Sequence, residues 1–446
     1  MKSNLISRLN FLRLGMASLA AFPLSAIGVR ANDNNKKVKP QSLPADSPGV
    51  AGKYPPGRGH KELTDWQLIE ESGAEVSQLT MSPVIHTHIY PHARIFTSDS
   101  RFFVYSRRPA HEQDETFWLC ETGSWRLYKI PQPENSSGPH IPLDGDYTYI
   151  YYLIKPTPER NIVVKQNFWT GEREELMDIN RTGVRGGIGS LTPDRRYGFS
   201  FATDEDGMCH IIRCDLVERS WKIIHSRPDI HNPHLMSEPG EGKDLLIQQN
   251  RDYVFDKKTK SWGPYTDKKG STLYLIDING ENYRPLPIGK PHTPEIWGHQ
   301  MWLGNTGKVL ATLAGERYFE GNRVYKRNYD IVIDGKKGNL VTVSDKEEQP
   351  TVIAGGVFFD HVASSKDGKY FIADDMDGNI WVGSAETGKY RKLCNSGTIL
   401  TGARYSHPHP FFSPDLKYAF FNSTGSGIPH IHAATIPEEF LKSLET

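Results

Sequence analysis

The chain has 446 residues, with 53 Lys and Arg against 53 Asp and Glu, so it carries no net charge and no global field that would draw nucleic acid or a membrane surface. Any anionic partner must be met by a local cluster. After its first sixty residues about 385 remain, too many for a small sandwich and enough for one large core or two domains.

At the N-terminus, Lys2, Arg8 and Arg13 precede an apolar run from Leu14 to Val29, and Val29-Arg30-Ala31 has the small-x-small form of a cleavage site. Residues 1–31 therefore read as a signal peptide, giving a secreted or periplasmic protein with no membrane span after its removal. The run is short for a spanning helix and is interrupted by Gly15, Pro23 and Gly28. Residues 32–60 hold Asn, Lys, Pro, Gly and Ser with few apolar side chains, and read as a flexible leader.

From residue 61 to 440 one unit recurs: an apolar segment, a polar turn with Asp or Gly, then a strand rich in aromatic and β-branched residues. The turns centre on Asp99, Asp144, Asp194, Gly242, Gly307, Asp367 and Asp415, spaced 45, 50, 48, 65, 60 and 48 residues apart. Such spacings suit four-stranded propeller blades, and seven of them fill the chain. The expected fold is all-β, a seven-bladed β-propeller. Its last blade has a third strand at His430–Thr435 but little chain beyond, so residues near Glu75 to Thr80 are expected to supply the outer strand and close the ring, removing exposed edges.

The strand before each turn is the innermost of its blade, and its start faces the central channel. That position is repeatedly histidine: His92, His234, His299, His361 and His409 precede their turns by six to eight residues, and His407 shares a strand face with His409. Clustered neutral imidazoles suit a divalent metal, zinc or manganese, or an acid/base pair near neutral pH. His92 and His111 flank one hairpin of the first repeat and together offer a base and an acid. Arg94, Arg107, Arg108, Arg185, Arg195, Arg196 and Arg213 offer guanidinium forks for carboxylate or sulfate. Tyr197 and Arg213 are expected to be neighbours across one hairpin. Cys120, Cys209, Cys214 and Cys394 leave disulfides or buried thiols open, with Cys209 and Cys214 close enough to bridge a hairpin.

The stretch Tyr405-Ser406-His407-Pro408-His409-Pro410, with Gly298-His299-Gln300-Met301-Trp302 and Asp360-His361, resembles the propeller polysaccharide lyases, namely the oligogalacturonate and ulvan lyases, over most of residues 80 to 437. The resemblance implies β-elimination on a uronate-containing anionic polysaccharide or oligosaccharide. In oligogalacturonate lyases the counterparts of His299, His407 and His409 hold manganese together with a glutamine three residues before His-Pro-His, and His234 falls where that family has its base. Here the glutamine position is Arg404, which calls manganese into question and leaves a structural zinc as the other choice. Similarity to ulvan lyases implies His92 and His111 as the acid/base pair, supported by Tyr197 and Arg213; of the clustered arginines, Arg94, Arg108 and Arg196 are the candidate substrate ligands on their own chemistry. The export signal favours ulvan, an external polymer. The oligogalacturonate site, with His234 as base, is the alternative. A periplasmic propeller that binds a partner without chemistry is the rival from another class, while the lack of a Gly-x-Ser-x-Gly elbow argues against a peptidase.

Overall fold

A polar turn with one hydrogen-bond pattern starts the second strand in four of the blades. In the computed structural model, Thr97 Oγ1 donates to Asp99 Oδ1 at 2.7 Å, the same carboxylate accepts the Arg101 amide, and the Phe102 amide donates back to Thr97 Oγ1. Thr192 and Asp194 repeat the pattern with the Arg196 and Tyr197 amides, and Ser365 and Asp367 with the Lys369 and Tyr370 amides. The residue after each aspartate has a left-handed backbone: Ser100 at φ 61°, Arg195 at 62°, Gly368 at 74° and Leu416 at 58°. A tight turn closed by a left-handed residue is a standard short hairpin connection, and side-chain oxygens capping the amides let non-glycine residues occupy it.

The described residues are 59–63, 67–88, 95–108, 115–131, 136–140, 149–263, 269–314, 317–320, 323–327, 331–399 and 406–446. They form seven antiparallel blades of four or five strands in chain order, plus three short hairpins. The signal-peptide and leader expectations, and the Asp144 turn, lie outside them. The ring joins where Glu75–Gln78 pairs with His430–Thr435, Val76 opposite Ala434 and Gln78 opposite His432; Gln67–Ile69 pairs with Glu75–Gln78 in turn and is the outermost strand of the last blade.

Blade strands are apolar on both faces because each face meets a neighbouring blade. On Tyr370–Asp375, Tyr370 and Ile372 enter the core shared with the last and first blades, while Phe371 and Ala373 enter the core shared with the fifth. Phe102 and Val104 likewise face the second blade, and Phe103 and Tyr105 the opposite way. A period of two with apolar residues at every position is what a doubly covered strand requires. The helix Glu438–Glu445 packs Phe440 and Leu444 into the same core and bonds Tyr370 through Glu445.

All four cysteines are buried free thiols. Cys209 and Cys214 lie on one strand, Cys209–Asp215, with the chain extended between them, so the expected hairpin bridge is not formed.

Candidate functional site

The inner strands are irregular where the histidines fall. Register shifts occur between Arg185 and Ser190, between Ile296 and Gln300, and between Phe359 and Val362. A bulge leaves residues outside the ladder and re-aims their side chains, which is why bulges gather near active sites. In the fifth blade the freed segment is Trp297-Gly298-His299, with Gly298 at φ 95°, and in the sixth it is Asp360-His361. The same end of the last blade carries His407-Pro408-His409, with His409 at φ 46°, a strained value for a non-glycine residue.

These segments bring four imidazoles together. Ring centroids of His299 and His361 are 3.9 Å apart, of His361 and His409 4.0 Å, of His361 and His407 5.1 Å, and of His407 and His409 5.7 Å. His361, His407 and His409 form one set of converging ligand atoms, and His299, Asp360 and His361 another. Two buried carboxylates sit behind them. Asp360 Oδ1 lies 3.0 Å from His299 Nδ1 and accepts the Trp297 indole N–H, while Asp374 lies 3.1 Å from His361 Nδ1 and accepts the His361 amide at 2.7 Å. Burial, and then the charge of the His361 ring beside it, lower the pKa of His299; burial and the surrounding histidines push His409 well below the ordinary value. Neutral imidazoles backed by carboxylates are the donor chemistry a divalent metal requires, so the residues fit the metal the sequence points to.

A cavity of about 370 Å³ opens beside this cluster, with His299, Asp360 and His407 on it and His231, Asn232 and Trp297 also lining it. His231 stacks on Trp262 at 4.3 Å between ring centroids, and its Nδ1 is buried with no hydrogen-bond partner among the described residues. Burial, reinforced by Arg185, lowers its pKa to about 4, so it stays neutral and able to take a proton at neutral pH. The loop is fixed by the next strand: the Asn250 side-chain Nδ2 donates to the carbonyls of His231 and Asn232, and the Gln248 backbone N–H to that of Pro233.

Of the residues singled out in the sequence, His299, His407 and His409 meet as expected, with His361. His234 does not line the cavity; its Nε2 lies 3.0 Å from Asn232 Nδ2, and His231, three residues earlier, takes the cavity position. Tyr197 and Arg213 are neighbours, the guanidinium 4.4 Å over the ring, but away from the cavity: Tyr197 opens its strand at the turn end, and Arg213 bonds the Ile278 carbonyl and Asn279 of the next blade. They pack two blades together. Arg196 pairs with Asp215 and Arg108 with Glu115, and neither lines the cavity. His92, Arg94, His111 and Arg404 lie outside the described residues. Asp374 and His231 were missed. Asp374 precedes Asp375 at a strand end, where the pair reads as turn chemistry, and His231 is one of two histidines in His231-Asn232-Pro233-His234.

No protein-family model matches the chain. It is 28% identical over 414 residues to an oligogalacturonate lyase of Dickeya dadantii, covering 85% of this chain and 98% of the relative. An oligogalacturonide lyase of Pectobacterium atrosepticum is 21% identical over 82% of this chain and 94% of its own. Among solved structures, an oligogalacturonate lyase in complex with manganese superposes with a TM-score of 0.66 at 17% identity, over 86% of this chain and 99% of that one. An oligogalacturonate lyase of Vibrio parahaemolyticus gives 0.64 at 16% identity, over 86% of this chain and all of the other. The propeller, its histidine cluster and these relatives agree, and the chain is similar to the seven-bladed β-propeller polysaccharide lyases.

Proposed function

We propose that this lyase cleaves short oligogalacturonates by β-elimination, with a divalent metal held at His299, His407 and His409. The observation that carries the reading is a single cavity lined both by a neutral His231, whose Nδ1 has no hydrogen-bond partner among the described residues, and by His299, Asp360 and His407 of the cluster. The elimination breaks the C5–H bond of a uronate and the C4–O bond to the neighbouring sugar and forms a C4–C5 double bond, so it needs a base at C5, neutralised charge on the carboxylate and a proton for the departing C4 oxygen, which water in the open cavity supplies. His231, whose ring lines the cavity, is the base. Trp297 and Asn232 bound the space in which the sugar ring is held, and Asp360 fixes His299 in one orientation. When bound, the metal supplies the positive charge that draws electron density from the carboxylate as C5 loses its proton.

The relatives named above support oligogalacturonate over ulvan, and so does the placement of Tyr197 and Arg213, which the ulvan reading put on substrate. Manganese is the ion we assign, on the likeness to the manganese complex. Export is also part of the proposal, supported by the charged and apolar pattern of residues 1–31. N-terminal sequencing of the protein recovered from a periplasmic fraction tests it, a start near Asn32 being the expected result. No helix among the described residues is long and apolar enough to cross a membrane.

The deciding experiment is incubation with trigalacturonate, polygalacturonate and ulvan, following the absorbance of the unsaturated uronate. Fastest release from trigalacturonate is expected. Turnover of ulvan alone would return the site to the first-repeat histidines, and no product from any of the three would leave a binding propeller.

A further inference from the structure

We propose that His361 is a fourth imidazole ligand of the metal, in place of the glutamine that Arg404 replaces, so that this chain holds its ion with four histidines. The inference rests on the metal reading of the cluster and departs from the three-histidine and glutamine set that the resemblance implies. Arg404 carries a guanidinium, always protonated and without a lone pair to give, so the family's fourth donor cannot come from that position.

His361 has the central place among the rings. It is the one member common to both groups of converging ligand atoms, and its ring lies within 5.1 Å, centroid to centroid, of His299, His407 and His409 alike. Its orientation is set from behind. Both oxygens of Asp374 lie within 3.2 Å of Nδ1, and Asp374 also accepts the backbone N–H of His361 at 2.7 Å and that of His409 at 3.4 Å. With Nδ1–H given to Asp374, Nε2 is the nitrogen that carries a lone pair for a metal. A histidine whose outer nitrogen is held by a carboxylate is the usual form of a metal-ligating imidazole, and Asp374 does for His361 what Asp360 does for His299. The neighbouring ring of His88 serves the backbone instead, with its Nε2 3.1 Å from the Pro408 carbonyl, a contact that braces the His-Pro-His segment.

The test measures binding of Mn2+ to the purified full-length protein by calorimetry, together with nitrogen couplings of the bound ion by pulsed EPR, on the wild type, His361→Ala, His361→Gln and Asp374→Asn. Four imidazole nitrogens are expected in the wild type. His361→Ala is expected to lose one of them and to weaken binding by at least tenfold, and His361→Gln to recover part of the affinity through its amide oxygen with three nitrogens remaining. Asp374→Asn should weaken binding by about 10- to 100-fold without removing a ligand. His361→Gln and Asp374→Asn keep the volume of the side chain, so they report even where the alanine variant fails to fold. Undiminished affinity and nitrogen count in His361→Gln would overturn the assignment while leaving a three-histidine site, and a wild type that binds no Mn2+ would overturn the metal reading with it. Neither result depends on turnover: an inactive protein that binds Mn2+ through four nitrogens would count against the lyase substrate alone.

Discussion

The carboxylate of Asp360 lies 3.0 Å from Nδ1 of His299, and the same oxygen accepts the Trp297 indole N–H. One buried anion thereby contacts a ring of the histidine cluster and an aromatic wall of the cavity. The Asp360→Asn variant keeps the shape and the 3.1 Å contact of His299 Nδ1 with the Asp360 carbonyl but removes the charge beside the ring. Its expected effect is a loss of about 10- to 100-fold in activity or metal affinity, with the thermal midpoint close to that of the wild type. Unchanged steady-state kinetics and Mn2+ titration would show that Asp360 is only a packing residue.

His231 and His234 are three residues apart and separate cleanly by experiment. His231 lines the cavity with its Nδ1 unpartnered among the described residues, while His234 turns aside at φ 43° beside Asn232. Replacing His231 by Asn is expected to lower kcat by about 10²- to 10⁴-fold, the range a positioned general base contributes, with a smaller change in KM. His234→Asn is expected to stay within a few-fold of wild type. The opposite ranking on trigalacturonate would restore His234 as the base.

How much of this could be read from the residues differs between fold and site. The turns were legible because a Thr or Ser two residues before an Asp makes a local hydrogen-bond pattern that depends on nothing distant, as at Thr97 and Asp99 or Ser365 and Asp367. The convergence of His299, His407 and His409 was legible because the blade repeat places them at equivalent starts of inner strands. What failed was finer. Between His231 and His234 the choice depends on a left-handed turn at Asn232 and on a stack against Trp262 from a separate hairpin, neither of which leaves a periodic trace. The pair Tyr197 and Arg213 does meet, but the pairing of their strands, with Tyr197 opposite Asp215 and Phe199 opposite Arg213, sets them toward the turn end rather than the histidine end.

Buried neutral histidines tie stability to pH. His86 is fully buried, and burial, followed by the charges of Arg107 and His430, lowers its pKa to about 3; burial lowers His432 to about 4. Both folded values lie below the ordinary 6.5, so below that pH the unfolded chain binds protons the folded one refuses. Stability is therefore complete above pH 6.5 and declines as the pH falls toward 4. For His86 alone the loss at pH 4.5 is about 2–3 kcal/mol. Urea midpoints at pH 7 and 4.5 are expected to differ markedly for the wild type and less for His86→Phe, which keeps the ring against Tyr105 and His430 without a proton to gain. Equal pH dependence in the two proteins would rule His86 out as a source.

Ring closure makes the strongest claim on stability. Leu79 is fully buried in the core shared by the first, sixth and last blades, and its amide donates to the Ile431 carbonyl at 2.8 Å, just beyond the strand pairing of Glu75–Gln78 with His430–Thr435. Truncating it removes apolar contact at the seam where the two ends of the chain are held together, so Leu79→Ala is expected to cost about 2–5 kcal/mol. Ile69, on the outermost strand and 63% exposed, provides the control: Ile69→Ala should stay within about 0.5 kcal/mol. If the seam is as described, Leu79→Ala also exposes the edge of His430–Thr435 on partial unfolding, and an exposed strand edge pairs with other chains. The mutant should then aggregate below its unfolding midpoint, seen as light scattering that rises before the loss of tryptophan signal. A Leu79→Ala protein that melts with the wild-type midpoint and without early scattering would mean that the ring is held closed elsewhere.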